Sequence, residues 1–271
     1  MKNPSSFLQF ALEVAQEVGE IQMASFGNIS SFKTKSTNID LVTKADIESE
    51  NLIIKKIQKR FPQHSILSEE RGELLSDSEY LWVIDPLDGT TNFAHNLPIF
   101  SVSIALVRKG IFTECGVVYN PAAKKYFYAE KNKGAYLNDT PIKVTSSKTL
   151  SESLLVTGFP YIHNDLYHQS FSIFKDFYDA SQGVRRLGAA SLDLCFVAMG
   201  RFEGFYEFNL KPWDICAGAL IAQEAGAICS DWNNSPLPHS GSRVLCTNGR
   251  IHDEMVQILS NSKYKAFYDL K

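Results

Sequence analysis

The sequence predicts a layered protein of mixed α+β or α/β class. Three features predict it: amphipathic helical spacing near the N-terminus, short strand-like segments divided by turn residues in the middle, and strands alternating with helices in the second half. At 271 residues, with 44% hydrophobic and 21% charged side chains, the chain has apolar material for a sizeable core. It reads as a single domain, 1–271, with a polar connection from Pro141 to Ser153 dividing it into candidate subdomains 1–145 and 146–271.

In chain order, Asn3-Pro4-Ser5-Ser6 offers caps and a proline compatible with a first helical turn. Phe7, Phe10, Ala11, Val14, Val18 and Ile21 then recur at helical spacing, and Gly27-Asn28 ends that helix. A polar stretch leads to Asp40-Leu41-Val42-Thr43-Lys44-Ala45-Asp46. From Asp46 to Arg60 a second helix presents Ile47, Ile53, Ile54 and Ile57, closed by Phe61-Pro62. Ser65 to Glu70 reads as a short strand ending in acid, and residues 71–79 as a polar loop.

The next stretch, from Trp82 to Phe93, organises the chain. Leu81 to Ile84 reads as a buried strand that stops at Asp85-Pro86, because proline has no N–H for a sheet ladder. Asp85 and Asp88 stand three residues apart, so a helical turn here would bring both carboxylates to one face. Two facing carboxylates repel unless a proton or a cation lies between them. The Gly89-Thr90-Thr91 run that follows presents backbone N–H groups at a helix start, which suits an anion.

Strands at Ser101–Val107, Glu114–Tyr119, Lys125–Glu130 and Gly134–Asn138 are separated by turn residues and read as an antiparallel meander. In the second half, strands are expected at Ser153–Gly158, Gly183–Leu187, Phe202–Phe208, Ala227–Asp231 and Val244–Asn248. Helices are expected at Asn164–Tyr178, Ala189–Gly200, Trp213–Ala225 and Ile251–Leu259.

A net charge of −3 and a pI near 6.1 give no bulk electrostatic case for nucleic acid or an anionic membrane as partner. The five cysteines are widely spaced in apolar runs with no CxxC pair, so they read as buried thiols of a reducing compartment rather than zinc ligands. Glu13, Gln16, Glu17 and Glu20 interrupt the N-terminal apolar run, unlike a signal peptide, and the expected location is the cytoplasm.

Chemistry concentrates at element ends, where scaffolds present functional groups. Glu69 follows a strand, Asp85 and Asp88 flank the proline turn, and Asp214 opens a helix beside Trp213. Asp214 alone also reads as a partner of the helix dipole, and Asp88 alone as a turn cap. Together, four acids with no His or Cys nearby make a hard oxygen set that suits magnesium better than zinc.

Glu69-Glu70, Asp85-Pro-Leu-Asp-Gly-Thr-Thr-Asn92 and Trp213-Asp-Ile-Cys-Ala-Gly218 resemble, in order, the three signature motifs of the inositol monophosphatase family. Asp40 to Asp46 resembles a further family element, and the segments from Gly188 to Cys195 and from Gly200 to Trp213 look most like bacterial members. The resemblance implies a five-layered αβαβα sandwich of the sugar-phosphatase type, usually a homodimer. It implies a Mg2+-dependent, lithium-sensitive phosphomonoesterase with two or three ions per subunit, acting on a small phosphate ester. Glu69, Asp85 and the Leu87 carbonyl would hold one ion; Asp85, Asp88 and Asp214 a second. Lys35 matches a lysine associated with a further, weaker site.

By the same resemblance, Glu69 and a Thr90–Asp46 pair would help to deprotonate the attacking water, and the Gly89 and Thr90 amides would hold phosphate oxygens. Asp88, Asp214, Glu207 and the Gly188-Ala189-Ala190 backbone would meet the alcohol. Many members have Thr or Ser where Ala189 stands, so one hydroxyl contact is expected to be missing. Arg185, Arg186 and Lys211 keep bisphosphate and nucleotide substrates open, as alternatives to myo-inositol-1-phosphate. A regulatory module without turnover is the alternative from another class.

Overall fold

Two β-sheets separate the apolar side chains into three main cores. The computed structural model describes residues 1, 3–28, 33–34, 41–108, 112–160 and 164–268. In chain order the first elements are α1 (Ser6–Ser25), β1 (Lys33–Thr34), β2 (Leu41–Val42), α2 (Lys44–Arg60), β3 (Ser65–Ser68), β4 (Gly72–Leu74), β5 (Tyr80–Asp88) and α3 (Thr90–Ala94). The meander follows as β6 (Ser101–Arg108), β7 (Phe112–Asn120), β8 (Lys125–Glu130), β9 (Ala135–Leu137) and β10 (Thr140–Pro141). The second half runs β11 (Leu154–Thr157), α4 (Asp165–Ala180), β12 (Gly183–Arg185), α5 (Ala190–Ala198) and β13 (Gly204–Phe208). It closes with α6 (Pro212–Glu224), β14 (Ile228–Ser230), β15 (Arg243–Thr247) and α7 (His252–Leu259).

The first sheet has eight strands in the order β10-β9-β8-β7-β6-β5-β3-β4, antiparallel except where β3 lies parallel to β5. The second has five, in the order β12-β11-β13-β15-β14. Strand β5 shows why the sheet is covered on both sides. Its side chains alternate, with Trp82 and Ile84 in the core under α1 and α2 and Val83 in the core against α5 and α6. Helices α5 and α6 are apolar all round because they lie between the two sheets. Helices α4 and α7 cover the outer face of the second sheet through Ile173, Phe177, Met255 and Leu259. The layers are therefore α, β, α, β, α.

The expected elements are present, with instructive differences. β5 does not stop at Asp85-Pro86. It continues to Asp88 with a register shift, and pairing resumes at Asp88 opposite Ser101. Proline is tolerated at such a bulge because the ladder is already interrupted there. Asp85 and Asp88 thus belong to a bulged strand rather than a helical turn, and the helix starts later, at Thr90. Helix α2 begins at Lys44, so Asp46 lies within its first turn rather than at its start. Ile47 is exposed rather than in the core. The expected loop 71–79 contains the edge strand β4, which its polar sequence conceals. The five cysteines are free thiols, all buried except the half-buried Cys229. Among the described residues no helix is long and apolar enough to cross a membrane. Lys35 and Asp40 lie outside the described residues.

Candidate active site

The site forms where the bulged end of β5 meets the N-termini of α5 and α6. Buried Gln22 of α1 donates from Nε2 to the Pro86 carbonyl at 2.8 Å, pinning the bulge from the outer helical layer. Within the bulge the Leu87 N–H donates to Asp85 Oδ1 at 2.9 Å, which fixes the first carboxylate. Asp88 points toward α5. Its Oδ2 accepts the Ser191 N–H at 2.9 Å and the Ser191 hydroxyl, so it caps a helix whose own N-cap, Ala189, has no polar side chain. Ser191 in turn meets Ser101 of β6 at 2.9 Å.

Gly89 follows with φ +87°, the left-handed conformation that glycine adopts without strain. A Cβ there would stand 2.9 Å from the Ile99 carbonyl and 3.3 Å from that of Gly188. Asn92, one turn on, bridges the two halves of the chain. Its Nδ2 donates to the carbonyls of Ile99 and Leu187, each at 2.8 Å.

Glu69 is presented from the turn after β3. Buried Glu50 of α2 holds that turn: its Oε1 accepts from the Ser68 hydroxyl and from the N–H groups of Glu70 (3.1 Å) and Arg71 (3.0 Å). Asp214 sits in the first turn of α6, where its Oδ2 accepts the Lys211 N–H at 2.6 Å. Ser103 of β6 ties this helix to the first sheet through the Trp213 carbonyl at 3.2 Å.

These acids feel one another. Asp85 lies well above the usual carboxylate range, first through burial, then through the charges of Glu69, Asp88 and Asp214 and a hydrogen bond shared with Glu69. Asp214 is also well raised, by burial and by Glu69 and Asp88. Burial pushes Asp88 up to about 6 against the opposing pull of the Ser191 hydrogen bonds. Asp46 is likewise raised to about 6 by burial. It accepts from the Thr43 N–H (2.8 Å) and hydroxyl through Oδ2, and from the Thr90 hydroxyl at 3.0 Å through Oδ1. Thr90 Oγ1 also lies 3.0 Å from the Leu87 carbonyl.

A cavity of about 350 Å³ opens from this cluster. Glu69, Asp88, Gly89 and Asp214 line it together with Gly188, Ala189, Ala190 and Glu207, and Gly89 lies directly against Gly188 and Ala189. Asp85, Leu87, Thr90 and Asp46 are not among its lining residues. Glu207 is pushed up to about 8 by burial, opposed by the positive charge of Arg186. Gly158 leaves the room its carboxylate occupies, since a Cβ there would overlap it. Exposed Arg186 and Lys211 also line the cavity, whereas Arg185 does not.

The donor chemistry, all hard oxygen and mutually repelling, suits a divalent cation. Among the described residues, however, no three His, Cys, Asp or Glu side chains converge closely enough as they stand to hold a metal ion. Each aspartate has at least one oxygen engaged with the protein, at Leu87, Ser191 or Lys211.

Three residues of the site escape a reading by element ends: Gln22, Glu50 and Asp193. Their shared signal is a polar side chain on an apolar face. Glu50 precedes Ile53, Ile54 and Ile57 at helical spacing, Gln22 follows Val18, and Asp193 lies between Leu192 and Leu194.

The Inositol monophosphatase family model matches residues 3–264. An inositol-1-monophosphatase from Synechocystis sp. is 43% identical over 256 residues, which cover 94% of this chain and 89% of that relative. The Nus factor SuhB of Pasteurella multocida is 40% identical over 252 residues, 92% of this chain and 94% of that relative. The crystal structure of the extragenic suppressor protein suhB from Bartonella henselae matches with a TM-score of 0.90 at 32% identity, covering 95% of this chain and 100% of that one.

Proposed function

This chain belongs to the inositol monophosphatase family and is a phosphatase, and on that premise we propose that it hydrolyses myo-inositol-1-phosphate and related inositol or sugar monophosphates with Mg2+. The observation that carries this reading is the cluster of Glu69, Asp85, Asp88 and Asp214, which opens beside a glycine turn into a cavity also lined by Asp193 and Glu207. On this reading two or three Mg2+ ions bind per subunit. Glu69, Asp85 and the Leu87 carbonyl would hold one; Asp85, Asp88 and Asp214 another. When bound, such ions neutralise charge at both ends of an in-line displacement and acidify water.

The chain's own groups do the rest. Thr90 and Asp46 form a proton-accepting pair beside Glu69. A carboxyl raised to about 6, like that of Asp46, is well placed to exchange a proton near neutrality. The Gly89 and Thr90 amides, at a turn without side-chain bulk, hold phosphate oxygens. Glu207, Asp88, Asp214 and the backbone from Gly188 to Ala190 orient the alcohol across the cavity. Ala189 offers no hydroxyl, so that contact is backbone only. The same reading carries a homodimer, lithium sensitivity and a cytoplasmic location.

A second reading, a sugar bisphosphatase or nucleotide phosphatase, is favoured by Arg186 and Lys211 at the cavity wall, which can meet a second phosphate. A Mg2+ assay on myo-inositol-1-phosphate, fructose-1,6-bisphosphate, NADP and 3′-phosphoadenosine 5′-phosphate decides between them. The highest kcat/KM is expected on the inositol ester, and Asp88→Asn should lower it about a hundredfold or more. Turnover on none of them, with Mg2+ still bound, would overturn the reading in favour of a regulatory module.

A further inference from the structure

Asp193 is a cavity-wall acid with no role in the reading above. It lies in the first turn of α5, 1% exposed, and its Oδ1 has no hydrogen-bond partner among the described residues. An acid in a first helical turn ordinarily serves the free amides of that turn. Here Asp88 has taken that place, accepting from the N–H groups of Ala190 and Ser191. The charges around Asp193 do not account for it either. Glu207 and Asp88 repel it, and Arg186, the opposing charge, has its guanidinium packed over Gly188, where a Cβ would meet Nη1 at 2.6 Å.

A buried carboxylate left without a partner destabilises the fold. Its position supplies the missing partner, because Asp193 lines the same cavity as Glu207, Arg186 and the acids Glu69, Asp88 and Asp214. On the phosphatase reading, an ester held by its phosphate at the Gly89 turn places its alcohol portion in the rest of this cavity. Carboxyl groups match hydroxyls, accepting when ionised and donating when protonated.

We propose that Asp193 is a specificity-determining residue that binds a hydroxyl of the alcohol portion, beside Glu207, so that the cavity selects polyhydroxylated phosphate esters over simple alkyl or aryl ones. This inference rests on the phosphatase reading. It gives the cavity two acidic contacts, Asp193 and Glu207, which favours an alcohol with neighbouring hydroxyls. A site built around such contacts discriminates against an analogue that lacks the hydroxyl, because the buried polar group is then left unmatched.

The test compares wild type, Asp193→Ala and Asp193→Asn on myo-inositol-1-phosphate and on p-nitrophenyl phosphate, which has no hydroxyl on its leaving group's ring, together with melting temperature without ligand. For Asp193→Ala, kcat/KM on the inositol ester should fall about tenfold, mostly through KM, while p-nitrophenyl phosphate turnover stays within about twofold. The variant should also melt above wild type, since an unmatched buried polar group has been removed. Asp193→Asn, which keeps volume and an acceptor, should fall between the two and shows whether packing alone explains the change. Equal losses on both esters, no loss on either, or lower melting in both variants would overturn the proposal while leaving the phosphatase reading intact. If wild type itself hydrolyses neither ester, the phosphatase reading fails and this inference falls with it.

Discussion

Burial holds the Glu207 carboxyl near pH 8, against 4.5 for the same group in an unfolded chain. The folded protein therefore binds this proton more tightly, and the stability it contributes is full below pH 4.5 and lost as pH rises through 8. Asp46 and Asp88 add losses of the same sign as pH rises through about 6. Glu207→Gln removes one titrating group and leaves the others. Urea unfolding without divalent cations should show wild type losing stability relative to the variant between pH 5 and pH 8, the window set by those two values. Parallel pH profiles would mean that Glu207 is ionised over the whole range. The residues at this scale differ in how legible they were. Glu69, Asp88 and Asp214 stand at element ends and Asp85 directly precedes a proline, so local sequence marks them. Glu50 and Asp193 lie inside apolar helical faces, where only the tertiary partners, the Ser68–Arg71 turn and the cavity, reveal what each one faces.

Strand β5 runs into helix α3 with Gly89 between them. Any side chain there needs φ +87° and also meets the Ile99 carbonyl, which Asn92 already holds. Gly89→Ala should lower stability by about 1–3 kcal/mol, counting left-handed strain and the displaced carbonyl. Turnover should fall more steeply than the denaturant midpoint, because the same turn presents Asp88 and Thr90. An alanine variant with wild-type midpoint and turnover would show that the turn adapts freely. The period and turn signals identified the meander and the second-half alternation because those strands are bounded by Gly, Asn and Pro. They misplaced the end of β5 for a physical reason. Proline ends a regular ladder, yet a bulge has already broken the ladder, and bulges are set by partners such as Gln22 that lie far away in sequence.

Across the whole molecule, the four acids are brought together from both halves, and their mutual repulsion opposes folding until a counter-charge arrives. Adding Mg2+ to chelator-treated protein should raise the melting temperature, by a free energy of about 2.7 kcal/mol at a hundred times its dissociation constant. Asp85→Asn should melt higher than wild type without cation and gain little from adding it. A cation increment equal to that of wild type would place the binding elsewhere. The five-layer order was legible from a family resemblance rather than from periodicity. Apolar runs such as that of α6 show that a helix is enclosed, but not which two sheets enclose it.

That placement of α6 between the sheets has a consequence for the order of synthesis. Helix α6 packs on β5, β6 and β7, yet it follows the entire first sheet in the chain. A growing polypeptide leaving the ribosome therefore exposes Glu69, Asp85 and Asp88 long before Asp214, and α5, which Asp88 caps, also comes late. The acid cluster cannot be complete until α6 has emerged.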